Sequence, residues 1–240
     1  MKFLLAPAKA EELETLLQGS LSLDPHADLV QGNSYSLTTL YCDTPDLAVF
    51  HGRGRYRLFK FRLRQYGNSE RIYLERKSKR RLQVRKRRAV IGLNELNRFE
   101  QSPEGNSWAG AWYHSQLVRN RFQPVCILNY DRVAYFGPSE YGVLRLTFDR
   151  NITGALASAW SFDQPAERYR LFADKVICEL KYRGPLPALF KAAIEALQLL
   201  PVGVSKYRAL LIAAGVAPQQ TQAPLSSDPQ IEAPLSSETN

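Results

Sequence analysis

The sequence lacks most of the features that would classify it at a glance. No apolar run approaches the ~20 residues that a membrane-spanning helix needs. Cysteine is scarce: Cys42, Cys126 and Cys178 are far apart, odd in number and set in apolar or aromatic surroundings. That argues against a disulfide framework and for a reducing, cytoplasmic setting. His26, His51 and His114 are equally scattered, with no Cys or His at zinc-ligand spacing. There is no Walker-type glycine-rich loop and no Ser-His-Asp or Cys-His grouping. Gly52-Arg53-Gly54 reads as a hairpin turn rather than a nucleotide loop. The opening Met1-Lys2-Phe3-Leu4-Leu5-Ala6 has too short an apolar part for a secretory signal, and Pro7 and charged residues follow at once. A secreted scaffold, a zinc module and a membrane-spanning chain are excluded.

What is present is a chain of 240 residues, 45% hydrophobic and 11% aromatic, enough to bury a sizeable core. Thirty-two Lys and Arg stand against 23 Asp and Glu, a net charge of +9 that implies a negatively charged partner. From Ala217 to Asn240 there is no Lys or Arg, and Ala-Pro-Leu-Ser-Ser occurs at both 223–227 and 233–237. Such a stretch has too little to bury to offset chain entropy. The expected organisation is a folded domain over 1–215 and a disordered tail over 216–240.

Within the folded part several stretches alternate with the two-residue period of strands. The clearest is Phe59-Lys60-Phe61-Arg62-Leu63-Arg64, apolar on one face and cationic on the other. The others are 37–43, 71–77, 82–91, 127–136, 143–149 and 176–182, with turn signals at Gly67-Asn68, Gly137-Pro138 and Gly184-Pro185. Helical spacing is confined to 8–18, 187–200 and 205–214, with a weaker helix over 93–101. Trp108, Trp112 and Trp160 lie among Gly, Ala and Ser, in segments that read as loops or packed helix, and packing is the expected role for all three. The pattern predicts an α+β protein built on a mainly antiparallel sheet.

Half of the cations, sixteen, fall within residues 53–88, where the only acids are Glu70 and Glu75. A charge run is ordinarily a solvated face or a nucleic-acid patch. Alternation changes that reading, because a closing sheet can turn its charged face into a lumen and its apolar face outward against helices. The same parity recurs elsewhere. Arg132 is in phase with Tyr130 and Ala134, Arg145 with Thr147 and Asp149, Glu179 with Lys181, and Glu75 with Lys77. Arg80, Arg81 and Arg85 are out of phase or in a turn, which predicts an exposed role. A nucleic-acid groove needs cations and stacking aromatics and has no use for interspersed carboxylates. A polyanion with a divalent metal needs both. Each carboxylate alone reads equally well as the salt-bridge partner of a neighbouring Lys; three recurring in phase favour the metal.

These residues carry a family resemblance. Leu40-Tyr41-Cys42-Asp43-Thr44-Pro45-Asp46 resembles the "S-x-Y-F-D-T-P-D" signature of the VTC (vacuolar transporter chaperone) domain, a polyphosphate polymerase domain among the CYTH-like triphosphate tunnel metalloenzymes. Residues 60–67 resemble its "K-x-R-x-R-x-Y-G" strand, 74–77 its "L-E-x-K", and 85–88 its "x-K-R-R". Residues 129–132 match "x-Y-x-R", 144–149 "x-R-x-T-x-D", 179–182 "E-x-K-x", and 204–207 "x-S-K-Y". The motifs run in order over roughly 2–214. Cys42 stands where the family has Phe, a packing change. Lys2 follows the first Met directly, which shortens the first strand or places the true start upstream.

The resemblance implies an antiparallel β-barrel tunnel with a few flanking helices, whose inward cations hold triphosphate or polyphosphate. The residues it implies as triphosphate or polyphosphate ligands are Lys2, Lys60, Arg62, Arg64, Lys77, Lys86, Arg88, Arg132, Arg145, Lys181, Ser205 and Lys206. Of these, Arg62, Arg64, Lys77, Arg132, Arg145 and Lys206 are the expected catalytic set. A divalent ion, Mn2+ or Mg2+, is expected mainly on Glu179, with Glu75 and Asp149 as further metal ligands. The implied activity moves the γ-phosphoryl group of ATP onto a growing inorganic polyphosphate chain. The competing readings are a tripolyphosphatase or nucleoside triphosphatase with the same tunnel, and a non-catalytic binder of polyphosphate or RNA. Carboxylates among the cations argue against RNA, so no nucleic-acid partner is expected. With no phosphate-sensing SPX domain and no membrane segment in the sequence, any translocation of product would require a membrane-protein partner.

Overall fold

The computed structural model describes residues 1–24, 33–80, 83–103, 105 and 107–217. The tail from 218 onward, His26 and Arg81 lie outside the described residues. The chain runs β1 (Lys2–Leu5), α1 (Pro7–Gln18), β2 (Ser22–Leu23), β3 (Tyr35–Asp43), a 3-10 helix over Gly54–Leu58, β4 (Phe59–Tyr66), β5 (Arg71–Arg80) and β6 (Gln83–Gly92). A second 3-10 helix over Leu93–Glu100 leads into α2 (Ala111–Asn120), β7 (Gln123–Ser139), β8 (Gly142–Leu156), β9 (Tyr169–Arg170), β10 (Val176–Lys181), α3 (Ala188–Ala196) and α4 (Lys206–Ala213).

Every strand pairing is antiparallel, in the order β1-β10-β8-β7-β3-β4-β5-β6, with β2 on β7 and β9 on β8. The α+β antiparallel architecture is the expected one, with one difference: the hydrogen-bonded path is open, ending at β1 and β6 among the described residues. The free side of β1 is taken up by the segment before α4, where Val202 N–H donates to the Lys2 carbonyl at 2.8 Å. Even so, the sheet curls until its arms face each other. Lys2 on β1 feels the charge of Lys77 on β5, and Lys60 on β4 feels that of Lys2.

Alternation decides which side chains face which way. Outward positions of β1, β7, β8 and β10 (Phe3, Tyr135, Leu146, Phe148, Leu180) are buried beneath α1 and α3, which contribute Leu13, Leu17 and Phe190. Pro7, with its φ preset and no N–H to satisfy, opens α1, and Ala10, Leu13 and Leu17 form its buried stripe. Outward positions of β3, β4 and β5 (Leu40, Phe61, Leu63, Ile72, Leu74) pack against α2 and the second 3-10 helix through Tyr113, Leu117, Leu96 and Phe99. Burial of each Leu or Phe stabilises by about 1.5–3 kcal/mol, so the outer face carries most of the apolar stabilisation. The tryptophans pack as expected: Trp108 and Trp160 have ring centroids 5.3 and 4.9 Å from Phe99, and Trp112 lies on α2.

The third cluster lies on the inward face. There α4 is seated against the sheet, with Tyr207, Leu210 and Leu211 packed on Leu37, Cys126, Leu128 and Ile177. Gly154 on β8, opposite Leu128, makes room for it: a Cβ there would lie 2.8 Å from both Leu210 Cδ2 and the Ile127 carbonyl. Asp43 locks the same end. Its carboxylate accepts from the backbone N–H of Thr44, Val49 and Phe50 at 2.7, 2.8 and 2.9 Å and from the Tyr207 hydroxyl. The Asp43-Thr44-Pro45-Asp46 motif is thus a clamp between β3 and α4.

Two expected turns differ. Gly137-Pro138 lies inside β7, paired with Leu144 and Val143, and the chain reverses at Glu140-Tyr141 before Gly142 at φ 119°. Glycine suits position 137 because a Cβ there would lie 2.4 Å from Leu21 Cδ2. Gly52-Arg53-Gly54 is a turn within the long β3–β4 connection, leading into the first 3-10 helix rather than joining two strands tightly.

Candidate functional site

The cross-strand register stacks the inward residues in rows. Lys60, Lys77 and Lys86 stand directly opposite one another on β4, β5 and β6. The next row is Tyr41, Arg62, Glu75 and Arg88, and the next Thr39, Arg64 and Tyr73. Across the concavity the rows are Lys181 with Arg145, Lys2 with Glu179 and Thr147, and Asp149 with Arg132 and Tyr35. Like charges directly opposite one another are destabilising in a sheet, so a row of three lysines costs stability in the absence of an anion.

The arginines are held by carboxylates. Arg62 donates to Glu75 at 2.7 Å, Arg88 donates to the other Glu75 oxygen, and the Arg64 guanidinium lies 3.8 Å from the same carboxylate. Burial alone would raise the Glu75 pKa, but Arg62, Arg64 and Arg88 outweigh it and hold the group at about 2. Arg132 grips Asp149 bidentately at 2.6 and 2.8 Å, and Lys206 from the start of α4 donates to the same carboxylate. Burial opposes ionisation of Asp149, and Arg132 and Lys206 overcome it, keeping the carboxyl well below its usual range. Such forks fix the guanidinium planes before any ligand arrives.

The lysines are tuned the other way. Burial, only partly offset by Glu179, lowers the pKa of Lys2 and of Lys181. Burial together with Lys2, Lys77 and Arg62 lowers that of Lys60. Lys60 and Lys77 still reach water, inside the concavity. Tyr130 sits between the two arms: it accepts from Arg64 at 3.2 Å, and the Lys206 ammonium lies 4.4 Å from its ring centroid. Burial would raise its pKa, yet Arg64, Arg132 and Lys206 bring the phenol down to about 8.

The register therefore brings Lys2, Lys60, Arg62, Arg64, Lys77, Lys86, Arg88, Arg132, Arg145 and Lys181 onto one inward face, and Lys206 reaches it from α4. Ser205 is the N-cap of α4, its hydroxyl accepting from the Arg208 N–H at 3.5 Å. Tyr41, Tyr66 and Tyr207 also face inward: Tyr41 stacks on Tyr207 at 5.4 Å, and the Tyr66 hydroxyl accepts from Arg88 at 3.2 Å. The three expected metal ligands are not gathered into one cluster, and no group of three His, Cys, Asp or Glu able to hold a metal occurs among the described residues. Both oxygens of Glu75 and both of Asp149 are committed to cations. Glu179 has one ion-pair partner among the described residues, Lys181 at 2.9 Å.

Beside Glu179 the inward face carries buried polar atoms without partners, Thr147 Oγ1 and Arg145 Nε. Buried polar atoms are normally hydrogen-bonded, so such orphans mark a place for a ligand or ordered water. Sequence reasoning missed two residues here. Asp24 lies 3.6 Å from Arg145, and the Tyr35 hydroxyl donates to Asp24 at 3.3 Å. Tyr35 was within reach of the parity argument, two residues before Leu37; Asp24 follows the two-residue β2 and carries no periodic signal.

No helix among the described residues is long and apolar enough to cross a membrane. The fold resembles that of a Bacillus halodurans protein described as a candidate adenylate cyclase, with a TM-score of 0.50, 12% identity, and coverage of 87% of this chain and 94% of that one. Lower similarity extends to a Hippeastrum candidate adenylyl cyclase with a reported dominant triphosphatase activity (TM-score 0.47, 13% identity, 89% and 95% covered). It also extends to a protein from Pyrococcus horikoshii (TM-score 0.41, 10% identity, 88% and 97% covered). No curated protein matches the chain in sequence. The VTC domain matches residues 1–213, essentially the whole of the described sheet and its helices, and the chain belongs to that family.

Proposed function

We propose that this protein is a metal-dependent phosphotransferase that builds inorganic polyphosphate from the γ-phosphoryl group of ATP within its cationic concavity. The observation that carries the reading is the in-register row Lys60, Lys77 and Lys86, facing Lys2 across the concavity. A chain of phosphates with regularly spaced negative oxygens turns that repulsion into attraction along its length.

Phosphoryl transfer asks the protein for positioning and charge neutralisation rather than covalent chemistry. Arg62, Arg64 and Arg132, preset by Glu75 and Asp149, would fork the oxygens of the transferred group, with Arg145 and Lys206 completing the clamp and the lysines acting as mobile point charges. The terminal oxyanion of the growing chain attacks the γ-phosphorus. The new P–O bond forms as the β–γ bridging bond breaks, and ADP leaves with the electron pair. The nucleophile is already ionised, so no general base is required.

For a divalent ion, Glu179 is the fitting carboxylate: its hold on cations is the lightest of the three, and it lies in register with Thr147, whose hydroxyl is orphaned. Mg2+ and Mn2+ sites built from one or two carboxylates plus substrate phosphates match that donor set. Such an ion, when bound, neutralises charge on the β- and γ-oxygens and improves the leaving group. Glu75 and Asp149 act instead as counter-ions.

The test is an incubation with Mn2+ and γ-labelled ATP, resolving products by chain length. A ladder of phosphate chains is expected. Free phosphate alone would make water the acceptor and the protein a hydrolase, and intact ATP would reduce the site to a receptor.

A further inference from the structure

The distal half of the β5–β6 hairpin is cationic on both of its faces, and the outward one plays no part in the concavity. The register sets Arg76 opposite Arg87 and Ser78 opposite Arg85, all outward. Both Arg76 and Arg87 lie over the ring of Trp112 on α2, their guanidinium carbons 5.8 and 4.1 Å from its centroid. Two guanidiniums on one indole repel each other as cross-strand partners, and Arg76 Nε is buried with no hydrogen-bond partner. Arg85 and Arg87 are exposed. In contrast with the inward face, no Asp or Glu occupies an outward position of β4, β5 or β6.

We infer that this outward strip is a second, metal-independent anion site that receives the polyphosphate chain where it leaves the concavity over β6, the end of the sheet path among the described residues. The inference rests on the proposed function for the identity of the chain. Continuity supports it: Lys77 and Lys86 on the inward side alternate with Arg76, Arg85 and Arg87 on the outward side of the same two strands, and β6 is the end of the sheet path. Chemistry selects phosphate over nucleic acid. One face of Trp112 is covered by Arg87 and its edge meets Tyr113 at 5.4 Å and 86°, so the ring is not offered to a base. What the strip offers is the N–H edges of guanidiniums held flat by stacking, the geometry that forks phosphate oxygens.

The test compares binding of tripolyphosphate and of long-chain polyphosphate, without metal, to the full-length protein and to the double variant Arg85→Ser/Arg87→Ser. Both residues are exposed, so the variant keeps its fold, as circular dichroism would verify. Tripolyphosphate affinity is expected to stay the same while long-chain affinity falls by about tenfold, the loss of two exposed charge contacts, with a shallower salt dependence. Unchanged long-chain affinity would overturn the inference. So would Arg87-dependent binding of single-stranded RNA without any such binding of polyphosphate. If the wild-type protein failed to bind tripolyphosphate but its long-chain affinity still depended on Arg85 and Arg87, the outward strip would stand and the reading of the concavity would fall.

Discussion

Glu75→Gln separates two roles for the acid at the centre of the arginine group. As a counter-ion, Glu75 stabilises Arg62, Arg64 and Arg88; as a metal ligand, it would be needed for substrate. Its pKa falls from 4.5 to about 2 on folding, and at ~1.4 kcal/mol per unit that corresponds to about 3 kcal/mol of stability. The side chain is 16% exposed and Arg88 48% exposed, and Gln retains part of the hydrogen bonding, so about 2 kcal/mol is the expected loss. Because the folded pKa is depressed, this stability is present above pH 4.5 and is lost as pH falls towards 2. Urea unfolding should therefore show a lower midpoint for the variant at neutral pH and a smaller difference in acid. Anion binding should move the opposite way: removing the competing carboxylate charge outweighs the lost presetting of the guanidinium planes, and affinity for tripolyphosphate should rise by about tenfold. Destabilisation together with weakened tripolyphosphate binding would refute the counter-ion argument.

Other substitutions probe the rest of the site. Glu179→Gln should abolish metal-dependent turnover and leave metal-free polyphosphate binding largely intact; turnover that survives would remove Glu179 from the metal. Gly154→Ala places a Cβ 2.8 Å from the Ile127 carbonyl, an overpacking that should cost about 1–3 kcal/mol and speed hydrogen exchange over α4; exchange at the wild-type rate would mean α4 is not seated there. Lys2, Lys60 and Lys181 have folded pKa values lowered below 10.5, so each destabilises the empty protein while charged, and that penalty is relieved as pH rises through its lowered value towards 10.5. Tripolyphosphate restores the charged form, so calorimetry in buffers of different ionisation heat should register proton uptake on binding in alkaline solution, and zero uptake would contradict the lysine assignment.

Much of the sheet is legible in the sequence because cations and apolar residues alternate strictly. In 59–64 the two faces are so different that placing Arg62 and Arg64 inward puts Phe61 and Leu63 outward, where they are buried. Ion-pair partners are another matter: Arg62, Glu75 and Arg88 meet only through the register of three strands, which parity does not supply. The same limit hides from the sequence that both oxygens of Glu75 and of Asp149 pair with cations. In α2 the buried residues Ala111, Tyr113, His114 and Leu117 mix aromatic, polar and small side chains, and the helix ends on Arg121 at φ 55° rather than on a glycine. The helical spacing of 205–214 was visible, but a helix pattern cannot say which face of a sheet it will occupy, and here α4 lies inside. β7 continues past Gly137-Pro138 because its pairing with β8 runs on to Ser139 and Gly142, a long-range register that the local turn signal does not reveal.

The most direct test of the central claim is a crystal structure of the protein with tripolyphosphate and Mn2+. The account predicts a phosphate chain along the inward face, its oxygens within hydrogen-bond distance of Lys60, Lys77, Arg62, Arg64 and Arg132, with the metal between it and Glu179. A concavity that stays filled only by water, with phosphate bound nowhere on the inward face, would contradict it.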